Sequence, residues 1–147
     1  MSGTYVGLRL LPQSSAVIRK FCQDNGIEIN TPDFEQRLHV TLIYSRKEFK
    51  MLPNTPVVHT AKIVGFELFS NSGGVKNVLV AKLESSSITA RHKHIRANYG
   101  ATHDYSEYSP HITLRYDWDV TRDVSNLVPP DDTIFLSDEY VESLNED

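Results

Sequence analysis

Two short segments, Leu38-His39-Val40-Thr41-Leu42 and Pro110-His111-Ile112-Thr113-Leu114, set a histidine and a threonine two positions apart, and they stand 72 residues from each other. The same offset carries Val6 to Val78, Leu8 to Val80 and Ala16 to Ile88, so the elements that precede each segment superpose too. The repeat is one of pattern, with little side-chain identity outside the motif. A chain written this way is expected to fold as two similar lobes facing one another across a cleft, the place where ligands tend to bind.

Periodicity supplies the elements. Residues 4–11 alternate Val6, Leu8 and Leu10 with Tyr5, Gly7 and Arg9, the pattern of a half-buried strand. Ser14 or Ser15 is expected to cap a helix over about 15–25, whose stripe is Ala16 or Val17, Ile18, Phe21 and Cys22 and whose stop is Asn25-Gly26. Strands are expected at 38–45 and at 57–70, the latter with a bulge at Gly65, and Asn71-Ser72-Gly73-Gly74 turns the chain into another at 76–84. The serines at 85–87 offer a cap for a second helix with Ile88, His92, Ile95 and Tyr99 on one face and Gly100 closing it. Strands at 110–116 and, after Pro129-Pro130, at 133–144 complete the chain. The order is β-α-β-β twice. It implies an α+β fold in one domain over residues 1–147, with lobes at about 1–70 and 71–147 and two antiparallel sheets around a central cleft.

Composition narrows the partners. With 147 residues, 39% of them hydrophobic, the chain can bury a real core. Its net charge of −4 argues against a broad footprint on long nucleic acid or an anionic membrane, yet leaves room for a small anionic ligand held by a local cluster of donors. A single cysteine, Cys22, excludes an intramolecular disulfide and a cysteine-rich zinc site and fits a reducing cytoplasm. The N-terminal apolar stretch is broken by Arg9 and Pro12, too early for a signal or spanning segment. No obligate protein partner is expected.

The motif residues suit phosphodiester chemistry. Alternation puts His39 and Thr41 on one strand face, with their Cα atoms about 6 to 7 Å apart, so imidazole and hydroxyl can both reach one phosphate. His111 and Thr113 repeat this in the second half. Cleaving a phosphodiester needs a base for the attacking oxygen and an acid for the leaving one. Histidine, with an unperturbed pKa of about 6.5, serves as either, while threonine hydroxyls can donate to the non-bridging oxygens. Neither motif brings a carboxylate or second histidine at ligand spacing, so no metal or other cofactor is expected.

A duplicated α/β chain of this size with paired His-x-Thr motifs resembles the 2H phosphoesterase superfamily. The opening TYVGLRL, HVTLIYS and PHITLRY look like the phage anti-CBASS phosphodiesterases within it, enzymes that degrade the cyclic di- and trinucleotides used as alarm signals by bacterial antiphage defence. The resemblance implies that His39 and His111 are the acid–base pair and that Thr41 and Thr113 hold the scissile phosphate. It also implies metal-free cleavage of a 3′-5′ bond in a cyclic oligonucleotide such as 3′,3′-cyclic GMP-AMP, with the ribose 2′-hydroxyl as nucleophile, in the host bacterial cytoplasm.

Base recognition is assigned to Tyr5, Tyr140, Glu139 and Trp118, the first of these lying on the polar face of its strand, and phosphate binding to Arg115. His92 and His94, two apart on a helix, point to different sides and are read as solvated. His59 and His103 have no visible partner, and Arg46 and Lys47 are read as a solvated turn. Competing functions are a 2H phosphodiesterase acting on linear 2′-5′ oligoadenylate, 2′,3′-cyclic phosphates or RNA ends, a non-catalytic sponge for the cyclic nucleotide, and a structural protein in which the motif is a relic.

Overall fold

Alternating apolar residues build the first strand, β1 (Ser2–Leu10), which buries Val6, Leu8 and Leu10. The computed structural model describes residues 2–54, 57–70, 77–102, 107–119 and 121–145; the expected turn at 71–74 and His103 lie outside them. Helix α1 (Pro12–Asp24) starts earlier than expected, and no serine caps it. Pro12 opens it instead, because its fixed φ suits the first turn and its missing N–H is one the helix does not use. Ser14 turns inward, and its Oγ accepts from the Phe135 backbone N–H at 2.8 Å. Ile18, Phe21 and Cys22 form the buried stripe, with Phe21 stacked on Phe66 at 5.0 Å between ring centroids.

β2 (His39–Ser45), β3 (His59–Ser70) and β4 (Asn77–Glu84) follow. Helix α2 (Ser86–Tyr99) begins at Ser85, whose Oγ accepts from the Ile88 N–H, and ends at Gly100, where a φ of 65° favours glycine. β5 (His111–Arg115) and β6 (Ile134–Asn145) complete the order.

Among the described residues six strands form one closed antiparallel ring, β1-β2-β5-β4-β3-β6. This corrects the expectation of two separate sheets: β2 pairs with β5, β3 with both β4 and β6, and β1 with β6, so four of the ring's pairings join the two halves of the chain. Exchanging β1 with β4, β2 with β5 and β3 with β6 leaves every neighbour relation in that ring unchanged. The motif strands therefore lie side by side. Their inward residues Val40, Leu42, Ile112 and Leu114 are fully buried and join a continuous apolar core with α1 and α2.

Among the described residues four strands carry an extra residue. In β2 it is Leu42, between the pairs Val6↔Ile43 and Gly7↔Thr41; in β5 it is Leu114, between Leu79↔Arg115 and Val80↔Thr113. Each bulge falls one residue past a motif threonine. β3 has its extra residue at Val64, beside Gly65 as expected, and β6 sets both Asp138 and Glu139 opposite Leu8.

Candidate active site

β2 and β5 meet at Val40↔Ile112, the central residues of the two motifs. Antiparallel pairing about that point sets Thr41 across from His111 and Thr113 across from His39. With Val40 and Ile112 buried, alternation puts all four polar side chains on the opposite face, each half-buried. The two imidazoles are close enough for His39 to lower the pKa of His111.

Both rings are oriented in the same way. His39 Nδ1 lies 2.6 Å from the Arg37 carbonyl and His111 Nδ1 2.9 Å from the Ser109 carbonyl. A carbonyl only accepts, so Nδ1 carries the proton in each ring and Nε2 is left to face a ligand. Burial is the main cause that lowers the His111 pKa; the Ser109 bond opposes it, the charges of His39 and Lys82 add to it, and Glu67 opposes it. His111 is thus held neutral at neutral pH, with a lone pair on Nε2.

Flanking strands furnish the walls. On the β1 side Arg9 pairs with His39 and Gly7 with Thr41, while the Tyr5 hydroxyl and Thr41 Oγ1 are 2.8 Å apart. Tyr140 of β6 pairs with Gly7 and lies over it, so close that a Cβ there would come within 2.6 Å of the phenol. The Arg9 guanidinium sits 4.0 Å above the Tyr140 ring, and the Tyr5 ring is 5.9 Å from it and 6.4 Å from His39. Burial is the main influence on the Tyr5 hydroxyl and raises its pKa, keeping it protonated. On the β4 side Lys82 pairs with His111, its ammonium lies 3.1 Å from Glu67, and the Phe69 ring meets His111 edge-on at 4.9 Å. Arg9 and Lys82 therefore take matching places, each opposite a motif histidine.

Of the residues assigned to binding, Tyr5 and Tyr140 join this face. Arg115 does not: it follows the Leu114 bulge, which reverses the alternation and sets it opposite the buried Leu79, and its Nε is buried without a hydrogen-bond partner among the described residues. Glu139 does not join them. The β6 bulge, with Asp138 at a φ of 51°, turns it to the core, where its carboxylate takes Arg91 Nε and Nη2 at 2.8 and 2.9 Å and the Asn54 N–H at 2.6 Å. The carboxylate on the motif face of β6 is Glu142, paired with Tyr5 and exposed. Trp118 is core rather than platform: it is buried, with the Arg122 guanidinium 4.8 Å above its ring.

Sequence reasoning missed Lys82, Glu67 and Phe69 on the motif face; the 72-residue offset carries Arg9 to Ala81 and so misses Lys82, its counterpart opposite the second motif histidine, by one residue. His92, read as solvated, is buried because it shares the stripe of Ile88 and Ile95; His94 is exposed. His59 is buried with Nδ1 3.1 Å from Ser87 Oγ, and Arg46 and Lys47 are exposed. Among the described residues no three His, Cys, Asp or Glu side chains converge as metal ligands, and no helix is long and apolar enough to cross a membrane.

The profile of the anti-CBASS protein Acb1 family matches residues 2–147. The chain belongs to the Acb1 family. Its relatives include the anti-CBASS protein Acb1 of Vibrio phage KVP40, 32% identical over 146 residues that span 97% of this chain and 88% of the relative. The Acb1 of Escherichia phage RB16 is 31% identical over 151 residues, 99% of this chain and 83% of the relative. Both motif strands, β1, β4 and β6 fall within the span matched by the Acb1 profile.

Proposed function

We propose that this Acb1 family member is a metal-independent phosphodiesterase of the 2H type that opens the 3′-5′ bonds of cyclic di- and trinucleotide signals and so counters CBASS immunity. The observation that carries this reading is the Val40↔Ile112 pairing, which draws one His–Thr pair from each half of the chain, about 1–70 and 71–147, to a common face. The motif residues offer two imidazoles and two hydroxyls and no carboxylate, a set suited to proton transfer and phosphate binding rather than to holding a metal.

In the reaction the ribose 2′-oxygen attacks the adjacent phosphorus. A bond forms between that oxygen and phosphorus, the bond to the 5′-oxygen of the next nucleotide breaks, and a 2′,3′-cyclic phosphate is left on an opened chain. Nε2 of neutral His111 takes the 2′-hydroxyl proton, and Nε2–H of His39 gives one to the departing 5′-oxygen; reversing these parts lets water open the cyclic phosphate. Thr41 and Thr113 donate to the non-bridging oxygens, and Arg9 and Lys82 raise the local positive potential where the phosphate sits. Tyr5, Tyr140 and Phe69 offer aromatic surface to the bases. With a net charge of −4 the ligand is a small cyclic oligonucleotide rather than long nucleic acid or membrane, and its site of action is the host bacterial cytoplasm, where the signal is made. Acid and base come from one chain, so no protein partner is needed.

The test is mass spectrometry of products after incubation, with EDTA present, with 3′,3′-cyclic GMP-AMP and separately with linear 2′-5′ oligoadenylate. Linear product from the cyclic substrate is expected, and His39→Ala and His111→Ala should each lose at least about a thousand-fold in rate with unchanged circular dichroism. Cleavage of the linear substrate alone would replace this reading with a general 2H phosphodiesterase, and binding without turnover would replace it with a sponge.

A further inference from the structure

The two motif strands are held in place differently, and the difference falls on Thr41. Each strand has its extra residue directly after the motif threonine, Leu42 in β2 and Leu114 in β5, and a bulge leaves backbone groups there outside the ladder. In β5 the Leu114 carbonyl is taken by main chain, accepting from the Glu35 N–H at 2.8 Å. In β2 side chains do this work. The Leu42 carbonyl accepts from His92 Nδ1 at 2.6 Å, and the Thr41 carbonyl accepts from the Tyr108 hydroxyl at 2.6 Å.

These two side chains support each other. The His92 and Tyr108 rings are stacked, 3.9 Å between centroids and 9° from parallel. His92 stands on the buried stripe of α2 between Ile88 and Ile95, both fully buried, so the stack is anchored on the helix. Burial raises the pKa of the Tyr108 hydroxyl, which therefore stays a donor. We infer that Tyr108, backed by His92, is a positioning residue that fixes the Thr41 peptide at the β2 bulge and with it the hydroxyl that meets the phosphate. The catalytic part of this inference rests on the phosphodiesterase reading above; the structural part does not.

Peptide and hydroxyl of Thr41 are rigidly linked through Cα and a β-branched Cβ with few rotamers, so a tilt of the peptide moves Oγ1. Its partner Tyr5, 2.8 Å away, would be displaced with it. Substrate contacts made by the rest of the face would be unaffected, so the loss belongs in the chemical step rather than in binding.

The deciding variant is Tyr108→Phe, which keeps the ring on His92 and removes only the donor. Steady-state kinetics with 3′,3′-cyclic GMP-AMP should show kcat lowered about ten-fold and KM within about two-fold of the parent. In a Thr41→Ala background the same substitution should change kcat by less than about two-fold, because its route to the phosphate is gone. An unchanged kcat, or an equal loss in both backgrounds, overturns the inference. If the parent protein turns over neither the cyclic nor the linear substrate, the phosphodiesterase reading has failed on its own. The positioning of Thr41 is then judged on the ligand-free protein by the carbonyl carbon-13 resonance of Thr41. A shift of that resonance in Tyr108→Phe supports the anchor, and an unmoved resonance overturns it.

Discussion

Glu139 and Glu67 show how place decides what a carboxylate does. Glu139 has a side chain with no solvent exposure, and Arg91, itself mostly covered, meets it with two nitrogens. A bidentate pair out of water is costly to break, because removing one partner strands the other charge where it cannot be hydrated. Arg91→Ala is therefore expected to cost about 3–5 kcal/mol, read as a lowered midpoint in urea unfolding. An unchanged midpoint would mean that the Asn54 N–H and solvent entry suffice for Glu139. The Glu67–Lys82 pair is exposed at 48% and 39%, so it adds about 0–1 kcal/mol to stability, and its importance is the charge it sets beside His111.

At the scale of elements, β1 acts through what it omits. Gly7 lies between Thr41 on one neighbour and Tyr140 on the other, and the Tyr140 ring fills the space where a side chain would stand. Arg9 rests on that ring in turn. In Gly7→Ala the far end of the Tyr140 ring must move, a displacement toward solvent that the strand can absorb, so stability should fall by no more than about 1 kcal/mol. Affinity for 3′,3′-cyclic GMP-AMP should fall at least five-fold, as measured by calorimetry with the inactive His111→Ala protein. Full affinity in Gly7→Ala would remove the Arg9–Tyr140 stack from the binding surface. The bulges belong to this scale too: one turns Glu139 inward, and another brings Leu42 within reach of α2.

Across the whole molecule, burial has one shared electrostatic consequence. His59, His92 and His111 all have lowered pKa values, and burial is the largest cause in each. A histidine whose folded pKa lies below its unfolded value of about 6.5 binds its proton more readily when the chain unfolds. Its contribution is therefore fully present above pH 6.5 and is lost as pH falls through the folded pKa. Urea midpoints should be flat from about pH 8 to 7 and then fall progressively between about pH 6.5 and 5, before most carboxylates titrate. Midpoints constant down to pH 5 would contradict this. The lowered carboxylates Asp119 and Asp123, held by hydrogen bonds in exposed turns, titrate in a more acidic window and do not blur the result.

Local physics was readable from residue order alone. Alternation placed β1, β2, β4 and β5, serine and glycine marked the ends of α2, and the 72-residue offset of His39-Val40-Thr41 and His111-Ile112-Thr113 announced two equivalent strands. Each of these signals depends on a residue and its near neighbours, which a sequence states directly. Only tertiary structure decided that the halves share one closed ring, that Val40 and Ile112 meet, that Lys82 and Phe69 flank His111, and that Glu139, Trp118 and His92 face the core. A bulge reverses the face of every residue beyond it, and strand pairing joins residues far apart in the chain; neither leaves a mark in local composition. The motifs announced which groups do the chemistry, and the register of distant strands decided what surrounds them.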